Sequence, residues 1–283
     1  MIKYILFLLS DYYYGIMAER IGEIQAKVAP YQVEALLAKN SEGIPPVCVA
    51  HMKGTLVIAD EPEIIHSLLG EGRYVVVLYH EKNKGVDIPK ARYGVEDVFQ
   101  LAYRSYEETY QRLAGLPWDI LETDRLKVRE STVEDVDEFY RIYEHPSITL
   151  YMENLYPKRE EEQAYMRAYI DQIYGFYGYG LWTVLLKDTG EVIGRAGLSV
   201  REGYDTPELG FVIDVLHQRQ GYGYEVAAAI LRYAREQLEF HKVQAMVKEG
   251  NLVSQRLLAK LGFVFERDVE ESGRGYKLFV RKI

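Results

Sequence analysis

One cysteine, Cys48, stands among 283 residues. No disulfide can form within the chain, which suits a reducing compartment, and a cytoplasmic location is expected. With no Cys–His arrangement around it, this thiol reads as a small buried apolar residue rather than a nucleophile. Long apolar runs are also missing. The opening Met1-Ile2-Lys3-Tyr4-Ile5-Leu6-Phe7-Leu8-Leu9 stops at Ser10-Asp11. It is too short to cross a membrane, and no small-residue cleavage site follows it. A buried first strand or short buried helix is the better reading, and no membrane partner is expected. Positive charge is scarce: 34 Lys and Arg face 43 Asp and Glu, a net −9. That argues against general nucleic-acid binding and gives a weak attraction for cationic partners such as amines. The histidines His145, His217 and His241 are scattered. None sits at metal-ligand spacing, so no metal is expected.

What is present suits a soluble globular chain large enough for two domains with their own cores. Residues 1 to about 118 read as an α/β unit. Thr55 to Ala59 and Tyr74 to Tyr79 are strands, with a short helix from Pro62 to Leu69 between them. Val75-Val76-Val77-Leu78 does not alternate, as expected for a strand covered on both faces of a parallel sheet. Val95 to Leu113 reads as a longer helix, stopped by Gly115-Leu116-Pro117.

From Trp118 the pattern changes. Leu121 to Arg129 alternates as one strand, and Ser131-Thr132-Val133-Glu134 has the spacing of a capping box ahead of a helix carrying Val136 and Tyr140. A helix is expected from Arg159 to Ile173. Strands follow at Leu181 to Leu186 and Val192 to Val200, joined by Lys187-Asp188-Thr189-Gly190, and then at Glu208 to Ile213. An amphipathic helix carries Val226, Ile230, Ala234 and Leu238. Val243 to Val247 is a strand. Asn251 caps a last helix with Val253, Leu257 and Leu261 in line, closed by Gly262. Strands at Phe263 to Glu266 and Tyr276 to Val280 finish the sheet. The fold class is α/β (α+β): a C-terminal mixed sheet flanked by helices, preceded by an N-terminal α/β unit.

Between the strand ending at Ile213 and the amphipathic helix lies Gln218-Arg219-Gln220-Gly221-Tyr222-Gly223-Tyr224. Two glycines at a helix start leave main-chain N–H groups uncovered, where the helix dipole favours phosphate. Gln218 and Arg219 can add donors. A dinucleotide fingerprint would need Gly or Ala where Val226 stands, and no Gly-Lys-Ser/Thr of a P-loop occurs, so neither motif applies.

Gln218-x-x-Gly221-x-Gly223 matches the Gln/Arg-x-x-Gly-x-Gly/Ala signature of the GCN5-related N-acetyltransferase (GNAT) family. Asp188-Thr189-Gly190-Glu191-Val192-Ile193-Gly194 resembles its hairpin and Glu208-Leu209-Gly210-Phe211 its central strand. Asn251-x-x-Ser254 followed by Leu261-Gly262-Phe263 resembles its next block. The four motifs stand in family order over residues 119–283, and the details lean towards the branch resembling ribosomal-protein alanine N-acetyltransferases. The resemblance implies acetyl-CoA as cosubstrate, held by residues 218–224, with Phe211, Val212 and Ile213 along the pantetheine arm and Asn251 bonding its amides. It implies transfer of an acetyl group to a primary amine, a protein N-terminus or a small molecule, by direct attack. Glu208 matches the family's base. Many members carry a Tyr acid where this chain has Leu258, and Ser254 is the substitute donor to the departing sulfur. The missing Tyr keeps a second reading open, an acyl-CoA-binding sensor without catalysis.

In the first unit, Leu8-Leu9-Ser10-Asp11 and the strand–Asp60–helix order faintly resemble a haloacid-dehalogenase-like unit. That family needs a second Asp two after the nucleophile, where Tyr13 stands. A structural, substrate-presenting or dimerising role, the last giving a homodimer, therefore fits this accessory unit better than a hydrolase.

Overall fold

The computed structural model describes residues 1–271 and 273–283. The chain divides into two compact units, Met1–Leu116 and Pro117–Ile283.

The first unit runs β1 (Tyr4–Leu9), α1 (Asp11–Val28), β2 (Glu34–Lys39), α2 (Pro46–Ala50), β3 (Thr55–Ala59), α3 (Pro62–Gly70), β4 (Tyr74–Leu78), β5 (Gly94–Val95) and α4 (Tyr103–Ala114). All five strands pair in parallel, in the order β2-β1-β3-β4-β5. Ile5, Phe7, Leu56 and Ile58 enter one core, while Leu6, Leu8, Val57, Val75 and Val77 enter the other. Both faces are dry, which is why these strands lack alternation. The expected helix over 95–113 is corrected: α4 begins at Tyr103. The Asp97 carboxylate accepts from the Phe99 amide at 2.9 Å and folds the preceding residues into a short 3₁₀ turn. At the C-terminal ends of β1 and β3, Asp60 accepts from the Ser10 amide at 2.8 Å and hydroxyl at 2.5 Å, with His80 Nε2 at 3.1 Å. Asp11 points away and pairs with Lys39 at 3.0 Å.

The second unit opens with β6 (Asp119–Glu122) and β7 (Leu126–Arg129), then α5 (Val136–Tyr143), α6 (Pro146–Thr149), α7 (Arg159–Tyr169) and α8 (Gly175–Tyr177). β8 (Leu181–Leu186), β9 (Val192–Ser199) and β10 (Glu208–Ile213) lead to α9 (Tyr222–Glu236), β11 (Lys242–Lys248), α10 (Leu252–Lys260), β12 (Val264–Glu271) and β13 (Arg274–Lys282). The eight strands lie in the order β12-β13-β11-β10-β9-β8-β7-β6. Leu209, Ile213, Ala245 and Val247 pack with α9 and α10, while Val212 packs with α5 and α7. The period of two thus sends alternate residues of β10 to opposite helical layers.

Three expectations are corrected here. Residues 121–129 form a hairpin rather than one strand, because the Thr123 amide and hydroxyl fold back onto Leu126. The cap lies one residue later than Ser131: the Thr132 amide donates to Asp135 at 2.8 Å, and the Ser131 hydroxyl accepts from Thr183 instead. Val253 is 75% exposed and off the apolar stripe of α10, where Leu258 and Leu261 are buried.

Candidate functional site

β10 and β11 are parallel neighbours that pair only at Glu208↔Gln244. β10 stays joined to β9 over its full length, Glu208↔Ser199 through Ile213↔Gly194. β11 stays joined to β13 from Lys242 to Lys248. The sheet therefore splits beyond Glu208, and β10 presents an unpaired edge there. The Asp214 amide donates to the Ile193 carbonyl at 2.8 Å, which fixes the alternation. In an antiparallel pair every second residue faces the partner, so Val212 faces β9 while the amides of Phe211 and Ile213 face the split. Of the three residues read from the sequence, Val212 is thus corrected: its amide lies on the β9 side and is not available to a ligand in the split.

The split leads to the Gln218–Tyr224 loop. Gly221 is the N-cap of α9 at φ +88°, and Arg219 adopts φ +61°. A left-handed φ costs a non-glycine residue about 1–2 kcal/mol, so Arg219 is held there by its surroundings. The first intrahelical bond is from the Glu225 amide to the Gly221 carbonyl at 3.0 Å. The amides of Tyr222, Gly223 and Tyr224 precede it and have no helical acceptor, an anion-binding end of the kind the dipole favours. A Cβ on Gly223 would lie 3.3 Å from Leu257 of α10 and 3.8 Å from Ile213 of β10, so glycine lets α9 approach these side chains closely. Gln218 donates to the Ile213 carbonyl at 2.9 Å, and Gln220 donates to the Leu216 carbonyl at 3.1 Å. These amides tie the loop to the strand it leaves and to the turn that follows that strand. Lys260 lies over the Tyr224 ring at 4.5 Å.

Sequence reasoning missed the groups that hold this loop from outside. Arg125, in the β6–β7 turn, donates to Glu225 at 2.7 Å and to the Gln220 carbonyl at 3.1 Å, and lies 4.3 Å above the Tyr222 ring. Thr123 donates to Glu225 at 2.6 Å. Burial opposes ionisation of Glu225, but the donors Thr123 and Arg125 outweigh it and hold this carboxyl below the usual range. The clamp is thus present above the ordinary carboxylate pKa and lost as pH falls through the lowered one. Nothing in the periodicity of residues 123–125 could have found it, since the partners lie 100 residues away.

Glu208 sits at the neck of the split with its side chain 12% exposed. Arg201 grips both its oxygens, Nε to Oε2 at 2.5 Å and Nη2 to Oε1 at 3.1 Å, and reaches Glu271 at 2.6 Å. Asn251 accepts from the Ser254 amide at 3.1 Å, capping α10. The Ser254 hydroxyl makes no hydrogen bond among the described residues and is half-buried. Leu258 is fully buried. Beside these lies an open groove of about 850 Å³, lined by Thr149, Met152, Glu153, Lys248, Gly250 and Arg274. Among the described residues no cluster of His, Cys, Asp and Glu could hold a metal. None of the described helices is long and apolar enough to cross a membrane.

A split parallel pair, uncovered helix amides and a carboxylate at the neck can hold an extended thioester and deprotonate a nucleophile beside it. Comparison with known proteins agrees in kind. A model of the acetyltransferase (GNAT) domain matches residues 125–264. An uncharacterised N-acetyltransferase of Bacillus subtilis, YoaA, is 30% identical over 147 residues, covering 51% of this chain and 82% of that protein. The ribosomal protein uS5-alanine N-acetyltransferase of Escherichia coli is 30% identical over 158 residues, 53% of this chain and 80% of that one. The structure of a ribosomal L7/L12 α-N-protein acetyltransferase in complex with coenzyme A has a TM-score of 0.50 at 16% identity, covering 59% of this chain and 98% of its own.

Proposed function

The chain belongs to the GNAT acetyltransferase family, and from that premise we propose that its second unit transfers an acetyl group from acetyl-CoA to a primary amine by direct attack. The observation that carries this reading is the split beyond Glu208, which leaves the Phe211 and Ile213 amides facing the gap that ends at the uncovered start of α9. Acetyl-CoA supplies an activated carbonyl. The amides of residues 222–224, assisted by Arg219, suit its pyrophosphate, and the Phe211 and Ile213 amides facing the split suit its arm. The likeness to an enzyme in complex with coenzyme A supports the same reading.

The acceptor must lose a proton, with ordinary values of about 8 for an α-amino group and about 10.4 for lysine. Glu208 takes it through a water that bonds to the lone pairs Arg201 leaves free, since Arg201 gives one N–H to each oxygen. The Phe211 and Ile213 amides stabilise the oxyanion of the intermediate. Ser254 donates to the departing sulfur, for its hydroxyl is uncommitted and Leu258 offers no proton. Asn251 fixes Ser254 by capping α10 and offers its own amide N–H to the arm.

The test is release of coenzyme A thiol from acetyl-CoA across a panel of primary amines, together with calorimetric binding of coenzyme A. Binding and amine-dependent release are expected. Binding without release from any amine would favour the sensor reading and overturn this one. Arg125→Ala, which frees the loop from its outer clamp, should weaken coenzyme A binding about threefold at neutral pH, the scale of a half-exposed ion pair with its added contacts. An unchanged Kd by calorimetry would mean that the loop holds its shape alone.

A further inference from the structure

Arg195 of β9 is 6% exposed, yet it has no counter-ion among the described residues. Arg129, Arg141 and Arg201 of the same unit each hold a carboxylate, and Arg195 forms no such pair among the described residues. Its Nε finds no hydrogen-bond acceptor. Its guanidinium lies 4.5 Å from the centre of the Phe139 ring and is surrounded by Tyr143, Tyr165, Tyr169 and Tyr174. Burial holds all four tyrosine hydroxyls above their ordinary range, so none of them supplies a phenolate. Glu162, the buried carboxylate of α7, accepts from the Tyr156 amide at 2.9 Å and forms no ion pair with Arg195. Ring faces offset part of the cost of burying a cation, but an unpaired buried charge remains expensive to keep.

The position of that charge gives it a use. Arg195 is the cross-strand neighbour of Val212, so its side chain rises from the α5–α7 face one strand away from the split. Adjacent strands lie about 4.8 Å apart, so the Arg195 backbone stands one strand spacing from the β10 edge that faces the split. Tyr165 of α7, an electrostatic neighbour of Arg195, is 43% exposed. Tyr165 of α7 therefore carries the enclosure of the buried cation out to solvent.

We propose that Arg195 selects the acceptor by receiving an oxyanion, best a planar carboxylate, carried by the same molecule as the reacting amine. This inference rests on the transferase reading and narrows it to amines bearing a carboxylate a few bonds from the nitrogen. The guanidinium fork matches a carboxylate through two parallel N–H donors, and the tyrosine hydroxyls around it can complete the shell. A free amino acid-like amine and a peptide N-terminus followed by an acidic residue share this chemistry.

Paired acceptors test it on the intact chain. 4-Aminobutyrate is compared with butylamine, and an Ala-Glu peptide amide with its Ala-Gln counterpart, by thiol release. The wild type should prefer the anionic member of at least one pair by about tenfold in kcat/KM, and which pair responds tells the free amine from the peptide. Arg195→Met should abolish that preference through KM while leaving coenzyme A binding unchanged, and Arg195→Lys should keep part of it. A merely structural arginine would lower the melting temperature and slow both members of a pair alike. Level rates within both pairs of the wild type would overturn this inference alone, whatever the variants do. No thiol release with any amine would overturn the transferase reading and this one with it.

Discussion

Glu208→Gln should lower kcat by roughly 10²–10³-fold, the range of a lost general base, while coenzyme A affinity stays within about twofold of wild type. The substitution keeps the size and one acceptor oxygen of the side chain, so Arg201 retains a hydrogen bond there and its ion pair with Glu271 at 2.6 Å. The neck of the split is therefore expected to hold its shape, and a melting curve should confirm it. What disappears is the ability to take a proton from an ammonium on its way to becoming a nucleophile. Glu208 also lies at the closed end of the split, away from the helix amides assigned to the pyrophosphate, which is why binding and turnover should separate. The measurement is thiol release at saturating acetyl-CoA and varied amine, with calorimetry alongside. A kcat within about threefold of wild type would remove Glu208 from the proton path.

Much of this site could be read along the chain because its parts are local. A strand, a glycine loop and a helix start are consecutive, so Glu208–Ile213, Gly221 and α9 stand where their own sequence puts them. The Asn251 cap is equally local, three residues from its donor. The parts that were not legible are made by distant pairing. Arg125 meets Glu225 across 100 residues and Arg201 meets Glu271 across 70. Arg195 looks in sequence like an ordinary charge within Ile193-Gly194-Arg195-Ala196-Gly197; only the sheet register and the tyrosines of α5, α7 and the following turn reveal that it is buried. In the first unit α1 escaped notice because only Met17, Ile24 and Val28 of its 18 residues are buried, a stripe too thin to stand out. The 95–113 region misled in the opposite way. Its helical spacing is real from Tyr103, but the Asp97 side chain captures the Phe99 amide and the backbone turns before the helix begins.

Gly223→Val should weaken coenzyme A binding by about thirtyfold or more, since each charge-assisted bond from a helix amide contributes about 1.5–3 kcal/mol and about 1.4 kcal/mol is a factor of ten. The reason given by the sequence was the bare approach of phosphate to the backbone. The geometry adds a second. The Cβ direction of Gly223 points at the packing contact between α9 and α10, towards Leu257 at 3.3 Å and Ile213 at 3.8 Å. A branched side chain has no room at that contact and pushes on the helices and strand that bound it. Gly223→Ala separates the two effects, because a lone methyl asks only a small shift of the Leu257 side chain. If the cosubstrate is held where α9 and α10 meet, valine should block binding while alanine weakens it only a few-fold. If valine merely loosened the packing of α10, its melting temperature would fall and binding would recover on cooling. Calorimetry at two temperatures with a melting curve distinguishes these cases. A stable Gly223→Val protein that binds coenzyme A as tightly as the wild type would mean that the cosubstrate is not held where α9 and α10 meet.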